Sequence, residues 1–180
     1  MQTIEKGNIR TLVLAALCLS LCMVLPIIAM QIPQIGSALS PMHIPVLLCG
    51  FVCGWRYGLV VGLIAPLMRS LIFGMPNLFP TATVMAFELA AYGLATGILY
   101  QLLPKKNSFI YVTLIASMLL GRFVWGIASV VILGFVNQPF TLAIFWARGF
   151  ANAVPGIILH IAIVPVIVIA LKRANFIENK

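Results

Sequence analysis

Residues 41–62 read PMHIPVLLCGFVCGWRYGLVVG, two apolar runs joined by a short turn that contains Arg56. Glycine recurs at every fourth position of this stretch, at Gly50, Gly54, Gly58 and Gly62. Small residues four apart lie on one face of a helix and let a second backbone approach closely, which is how helices associate in lipid. The stretch therefore predicts two tightly packed membrane helices, and Gly54 and Gly58 are candidate contacts for a docking partner.

The whole chain shares this apolar character. Of its 180 residues, 63% are hydrophobic and 8% are charged, and the mean hydropathy is +1.16. A soluble domain needs more polar surface than this composition provides. We therefore expect an integral membrane protein.

Six apolar stretches can be distinguished, at about residues 8–30, 42–55, 57–74, 81–103, 108–135 and 143–171. At about 1.5 Å of rise per residue, most of them can cross a hydrocarbon core about 30 Å thick, whereas the second is short. Lipid leaves the backbone without hydrogen-bond partners, so segments this long must be helical. The sequence predicts an all-α, six-transmembrane-helix bundle that forms a single domain over residues 1–180.

The basic residues outside these stretches indicate the orientation of the bundle. They precede the first stretch, follow the second, fourth and sixth, and are Lys6, Arg10, Arg56, Lys105, Lys106, Lys172, Arg173 and Lys180. The alternate connections, residues 31–41, 75–80 and 136–142, contain no Lys or Arg. The positive-inside rule then places both termini in the cytoplasm of a multi-pass protein of the cell membrane. These residues would meet anionic lipid, so the net charge of +8 does not indicate nucleic-acid binding.

A cleaved signal peptide is an alternative for the first stretch, since Lys6 and Arg10 precede it and residues 33–38 resemble a cleavage site. Its apolar run is longer than that of a typical signal peptide, which favours a membrane helix. Cleavage would leave five spans that still agree with the remaining charges.

Four ionisable residues inside the stretches predict a binding site. Arg69 lies about 13 residues beyond Arg56, and Arg122 about 14 residues into the fifth stretch, so both have risen about 20 Å from the cytoplasmic side. Glu88 and Arg148 lie about 10 Å from the external surface on inward-going stretches. Ionised groups within a membrane usually face a protein interior or a water-filled cavity. Convergence at one depth therefore indicates a shared pocket.

The three arginines outnumber the one carboxylate in this set, which favours a ligand with a carboxylate or phosphate group. An alternative is that Glu88 pairs with one arginine to join two helices while Arg148 reaches the head groups. Further candidate contacts at this level are Asn77, Tyr92, Trp125, Trp146, Asn152 and His43. His160, expected near the cytoplasmic end of the last stretch, is interpreted as a structural hydrogen-bonding residue.

Catalytic and metal-binding patterns are not evident in the sequence. Glu88 is the only acidic residue inside the predicted spans, and no nucleophile with a base or phosphate-binding loop can be assembled. The cysteines at positions 18, 22, 49 and 53 are expected to act as small apolar residues rather than metal ligands. We therefore expect a protein that is not an enzyme, uses no cofactor and has no energy source of its own.

The six-helix topology, together with residues 41–62, resembles the substrate-binding S component of an energy-coupling factor (ECF) transporter. The resemblance implies capture of a vitamin near the external face, chiefly among helices 4 to 6. It also implies a transmembrane coupling subunit and two cytoplasmic ATPases as partners. Family members often dock through an Ala-x-x-x-Ala face on helix 1, and the nearest match here is Ala16-x-x-x-Ser20.

The identity of the vitamin is an open question at this point. The family includes binders of riboflavin, thiamine, biotin, folate, pantothenate and pyridoxine. The excess of arginine favours a carboxylate, and no aromatic cluster is expected around the site, which disfavours large flat rings. Pantothenate is the leading expectation, followed by pyridoxine, biotin or another carboxylate vitamin. The alternative of another class is a non-transport membrane assembly or structural subunit.

Overall fold

The computed structural model describes residues 2–29, 31 and 40–174, with side-chain surroundings from residue 9 onward. Its main helices are α1 (Gln2–Ala29), α2 (His43–Cys53), α3 (Trp55–Phe73), α4 (Thr83–Leu102), α5 (Asn107–Phe135), α6 (Leu142–Gly149) and α7 (Val154–Arg173). An irregular helical turn, Leu78–Ala82, precedes α4, and a single 3-10 turn, Ala151–Ala153, separates α6 from α7. No strand occurs in these described ranges, so the all-helical class is confirmed for them.

Five helical segments are long and apolar enough to cross a membrane: Ile9–Ala29, Trp55–Phe73, Leu78–Leu102, Asn107–Phe135 and Leu142–Arg173. This composition supports the predicted multi-pass membrane protein. The count of six spans and the cytoplasmic location of both termini stay predictions.

The second helix is short, as predicted, and the structure supplies a reason. α2 has 11 residues, and every residue from His43 to Phe51 is buried. It packs against α1, α3, α4 and α7. Because protein rather than lipid surrounds α2, its length does not have to match the thickness of a bilayer.

Glycines bring α2, α3 and α4 into backbone contact. A Cβ placed on Gly58 of α3 would lie 2.6 Å from the carbonyl oxygen of Gly93 on α4, and one on Gly50 of α2 would lie 2.8 Å from the same oxygen. One turn further along α3, a Cβ on Gly62 would lie 2.3 Å from the carbonyl oxygen of Leu89. The predicted close packing is therefore present, with α4 as the helix that the α3 glycines contact.

The two predicted docking glycines have different surroundings. Gly58 is buried in this three-helix contact, so it lies inside the bundle rather than on a surface open to a partner. Gly54 joins α2 to α3 with φ of +84°, a conformation that favours glycine. Docking at Gly54 stays a prediction.

The last predicted stretch, residues 143–171, is not one straight helix. α6 ends at Gly149, and the chain changes direction through Phe150, whose φ and ψ are −125° and −61°, before α7 begins at Val154. His160 therefore lies in the second turn of α7 and stacks on His43 at the start of α2, with 5.7 Å between ring centroids. The prediction placed His160 near the far end of the last stretch because it counted residues along one unbroken helix, whereas the structure places it near the start of α7.

The glycine contact gives a test of the packing through paired alanine substitutions. Glycine to alanine in an exposed helix normally stabilises by about 0.5 to 1 kcal/mol. We expect that result for Gly134→Ala on α5, where a Cβ would meet nothing within 4 Å. Gly93→Ala should instead destabilise by about 1 to 3 kcal/mol, because its Cβ would lie 2.1 Å from the carbonyl oxygen of Gly58. Thermal unfolding in detergent measures both, and equal midpoints for the two variants would contradict the contact.

Candidate functional site

Glu88 lies at the centre of a buried polar cluster. This α4 side chain is 2% exposed, and its Oε1 atom is 2.9 Å from Nη1 of Arg122 on α5. The Tyr92 hydroxyl, one turn along α4, donates a hydrogen bond of 3.1 Å to the same oxygen. Nε2 of His43 on α2 lies 3.5 Å from it. A carboxylate buried in an apolar bundle needs such partners, because its desolvation is otherwise too costly.

Four predicted site residues therefore meet in one cluster: His43, Glu88, Tyr92 and Arg122. The alternative interpretation, in which Glu88 pairs with one arginine and joins two helices, also describes the contact with Arg122. That contact neutralises the charge of Arg122, one of the three predicted intramembrane arginines.

A cavity of about 850 Å³ adjoins this cluster. Its described lining consists of Ser40, Arg122, Arg148, Ala151, Asn152, Ala153 and Pro155. Three of these, Arg122, Arg148 and Asn152, are residues that the sequence predicted. Arg148 stands in the last turn of α6 and Asn152 in the turn before α7, so the break between these helices forms part of the wall.

The charge of the cavity wall is positive. Arg122 is 9% exposed and paired with Glu88, whereas Arg148 is exposed. Among the described residues, no acidic side chain forms an ion pair with Arg148, and none lines the cavity. An anion can therefore meet two guanidinium groups there, of which the second carries an uncompensated charge.

Arg69 occupies a different place. It is buried on α3, and its Nη1 donates a hydrogen bond of 2.9 Å to the carbonyl oxygen of Met23 on α1. Its guanidinium also lies over the ring of Phe73, 5.2 Å from the centroid. Arg69 does not belong to the described cavity lining. The contacts that the structure gives it join α3 to α1.

Asn77 and Trp146 are among the predicted contacts that stand outside the described lining. Asn77 is exposed in the connection between α3 and the irregular turn. Trp146 on α6 is 56% exposed. A direct role of either side chain in ligand binding stays a prediction without support from the cavity geometry.

An aromatic cluster lies beside the cavity, which the sequence analysis did not expect. Its rings are joined by centroid distances of 4.8 to 6.0 Å and belong to Trp125, Phe140, Phe145, Trp146 and Phe150. The predicted absence of aromatic clustering is therefore wrong for the α5–α6 region. The described cavity lining itself contains no aromatic ring. Only this wall therefore disfavours large flat ligands.

Ser40 is a site residue that sequence reasoning missed, and its contact with His160, which was interpreted as a structural hydrogen-bonding residue, was not foreseen either. Ser40 lines the cavity, and its carbonyl oxygen lies 3.3 Å from Nε2 of His160. The two residues are 120 positions apart, and neither belongs to a recognisable motif. Nothing in the local sequence pattern could have paired them.

The predicted docking pair on α1 faces outward. Ala16 and Ser20 are both exposed, and the Ser20 hydroxyl donates to the carbonyl oxygen of Ala16 at 3.0 Å. The neighbouring Ala15 and Cys18 face the core instead. A docking role for Ala16 and Ser20 stays a prediction.

Comparison with protein families identifies one match. The model of the family described as ECF transporter, substrate-specific component, matches residues 10–168. The matched range contains all the described residues of the polar cluster and of the cavity lining. Comparison with curated proteins finds no match.

The cluster around Glu88 gives a second test. Glu88→Gln leaves the guanidinium of Arg122 buried without its counter-charge, and breaking a buried pair in this way costs about 3 to 5 kcal/mol. We expect a correspondingly lower midpoint in thermal unfolding. The double variant Glu88→Gln with Arg122→Met should recover much of the loss, since it removes both charges. Losses that simply add in the double variant would contradict the pairing.

Proposed function

Because the chain belongs to the family of ECF transporter substrate-specific components, we propose that it captures a small anionic vitamin in the cavity lined by Arg122 and Arg148. Membership makes the chain a membrane transport subunit and not an enzyme. It also implies an ECF module of ATPases and a transmembrane T component as partner. Pantothenate is the leading candidate for the vitamin.

The observation that carries the proposal is the guanidinium of Arg148 at the cavity wall, which no acidic side chain of the described residues pairs with. Arg122, the second cation of the lining, is already paired with Glu88. A planar guanidinium can hold a carboxylate through two parallel hydrogen bonds. These features favour an anion over a neutral or cationic ligand.

The size and composition of the cavity support a flexible, polar vitamin. Its volume of about 850 Å³ lies within the range of about 300 to 1,000 Å³ that is usual for small-molecule sites. Ser40 and Asn152 provide hydrogen-bonding groups, and the described lining has no ring for stacking. Pantothenate carries one carboxylate together with amide and hydroxyl groups and has no ring. Biotin, also a carboxylate, and pyridoxine are the alternatives.

We further propose that the cavity opens to the outside of the cell membrane. The Lys172 ammonium donates to the carbonyl oxygen of Lys105, so the α4–α5 connection and the end of α7 lie at the same end of the bundle. The α2–α3 turn lies at that end too, because Gly97 near the end of α4 contacts Trp55. Ser40, just before α2, belongs to the opposite end. Basic residues at the end away from the cavity support an external opening.

A role as a non-transport assembly subunit has no support of its own. The family match favours transport, and an assembly subunit would not require a cavity of this size.

The proposal predicts that Arg148→Gln weakens the binding of pantothenate. Loss of a hydrogen bond to a charged group costs about 1.5 to 3 kcal/mol, which corresponds to an increase in Kd of about tenfold to hundredfold. The matched control is Arg173→Gln, which removes the same charge at the other end of the bundle. Isothermal titration on the purified parent and both variants measures the effect.

The outcome of this titration separates the site from the substrate. Equal affinity of Arg148→Gln and the parent for pantothenate would contradict the cavity as the binding site. Binding of biotin or pyridoxine by the parent, without binding of pantothenate, would contradict the proposed vitamin. If biotin were that ligand and also bound less tightly to Arg148→Gln, the anionic site would stand, whereas pyridoxine, which has no carboxylate, would count against it.

A further inference from the structure

The carbonyl oxygen of Ser40 accepts an unusual number of hydrogen bonds. The backbone N–H of His43 lies 3.0 Å from it, and Nδ1 of the same residue lies 3.1 Å from it. Nε2 of His160, on α7, approaches to 3.3 Å. Because a carbonyl oxygen only accepts, the ring nitrogens that face it must carry hydrogens. The bonds to Ser40 therefore require hydrogen on Nδ1 of His43 and on Nε2 of His160.

Both histidines are deeply buried at this position. His43 is 4% exposed and His160 is 2% exposed. Their rings stack at 20° between planes, and the His43 ring also meets the edge of Tyr92 at 5.2 Å. Buried polar groups are costly unless they are hydrogen-bonded, so the bond to Ser40 accounts for the presence of His160 on this face of α7.

The backbone of Ser40 needs such support. Its φ is +46°, which is in the left-handed region that residues other than glycine seldom adopt. A conformation of this kind persists where the surrounding structure holds it in place. Ser40 also belongs to the wall of the cavity, together with Arg122 and Arg148. The described lining contains no acidic residue.

We propose that His43 and His160 are positioning residues of the ligand site, which hold Ser40 in its left-handed conformation and so maintain the wall of the cavity. Neither histidine belongs to the described lining, so both act through Ser40 rather than on the ligand. This assignment replaces the predicted ligand contact of His43. The effect on binding rests on the proposed function, whereas the hold on Ser40 does not.

The first test is the protonation pattern of the two rings. The chain contains only two histidines, so a sample labelled with ¹⁵N at histidine and purified without a histidine tag gives one spectrum for the pair. The spectrum of His160→Gln assigns each signal. We expect hydrogen on Nδ1 of His43 and on Nε2 of His160. Hydrogen absent from either of these nitrogens would overturn the proposal, whatever the ligand is.

The second test measures binding in a matched pair of variants. His160→Gln keeps an N–H donor at about the position of Nε2, whereas His160→Leu has similar bulk and no donor. Loss of one hydrogen bond corresponds to about a fivefold effect, so we expect pantothenate to bind about fivefold more weakly to His160→Leu and within about twofold of the parent to His160→Gln. A purely structural role would lower the thermal midpoint and leave Kd unchanged.

The outcomes distinguish this proposal from the proposed function. Equal Kd values for the parent and His160→Leu, or equal weakening in both variants, would overturn the positioning role. A parent that does not bind pantothenate would contradict the proposed vitamin. The protonation pattern would then test whether the two histidines hold Ser40. The same measurement serves as the test if His160→Leu does not fold.

Discussion

A carboxylate buried among membrane helices must find its partners within the protein, because lipid offers no hydrogen-bond donors. Glu88 meets this requirement with Tyr92 on its own α4 and Arg122 on α5, and Nε2 of His43 on α2 lies 3.5 Å from the carboxylate. His43 extends the same network to Ser40, which His160 also contacts from α7. One buried charge thus relates four helices to one another and connects the bundle interior with the cavity wall.

Close helix packing makes this arrangement possible. The glycines of α3 bring its backbone against Leu89 and Gly93 on one face of α4, which leaves Glu88 and Tyr92 to face other helices. A Cβ on Gly121 of α5 would lie 2.4 Å from the Tyr92 ring, so the absence of a side chain there lets α5 approach α4 beside Arg122. Small residues therefore do more than associate helices, because they also determine how near the charged groups come to each other.

Sequence reasoning predicted the parts of this account that depend on local pattern. The predicted stretches lie within two residues of the observed bounds of α2 to α5, and the depth of Glu88 and Arg122 predicted that they could meet. Depth does not give the direction in which a side chain points, which is why Arg69 was grouped with them although it contacts α1. The break after Gly149 was missed because the apolar run continues through it, and the contact between His160 and Ser40 joins segments too distant to show any periodicity.

If the cavity beside Arg148 holds a small organic anion, that ligand should accompany the chain through purification. Native mass spectrometry of the parent and of Arg148→Gln, both isolated in mild detergent without added vitamin, would measure the mass and amount of the retained molecule. We expect the parent to release one small carboxylate or phosphate compound, and folded Arg148→Gln to retain much less of it. A neutral or cationic molecule, retained equally by both proteins, would contradict an anion site at Arg148.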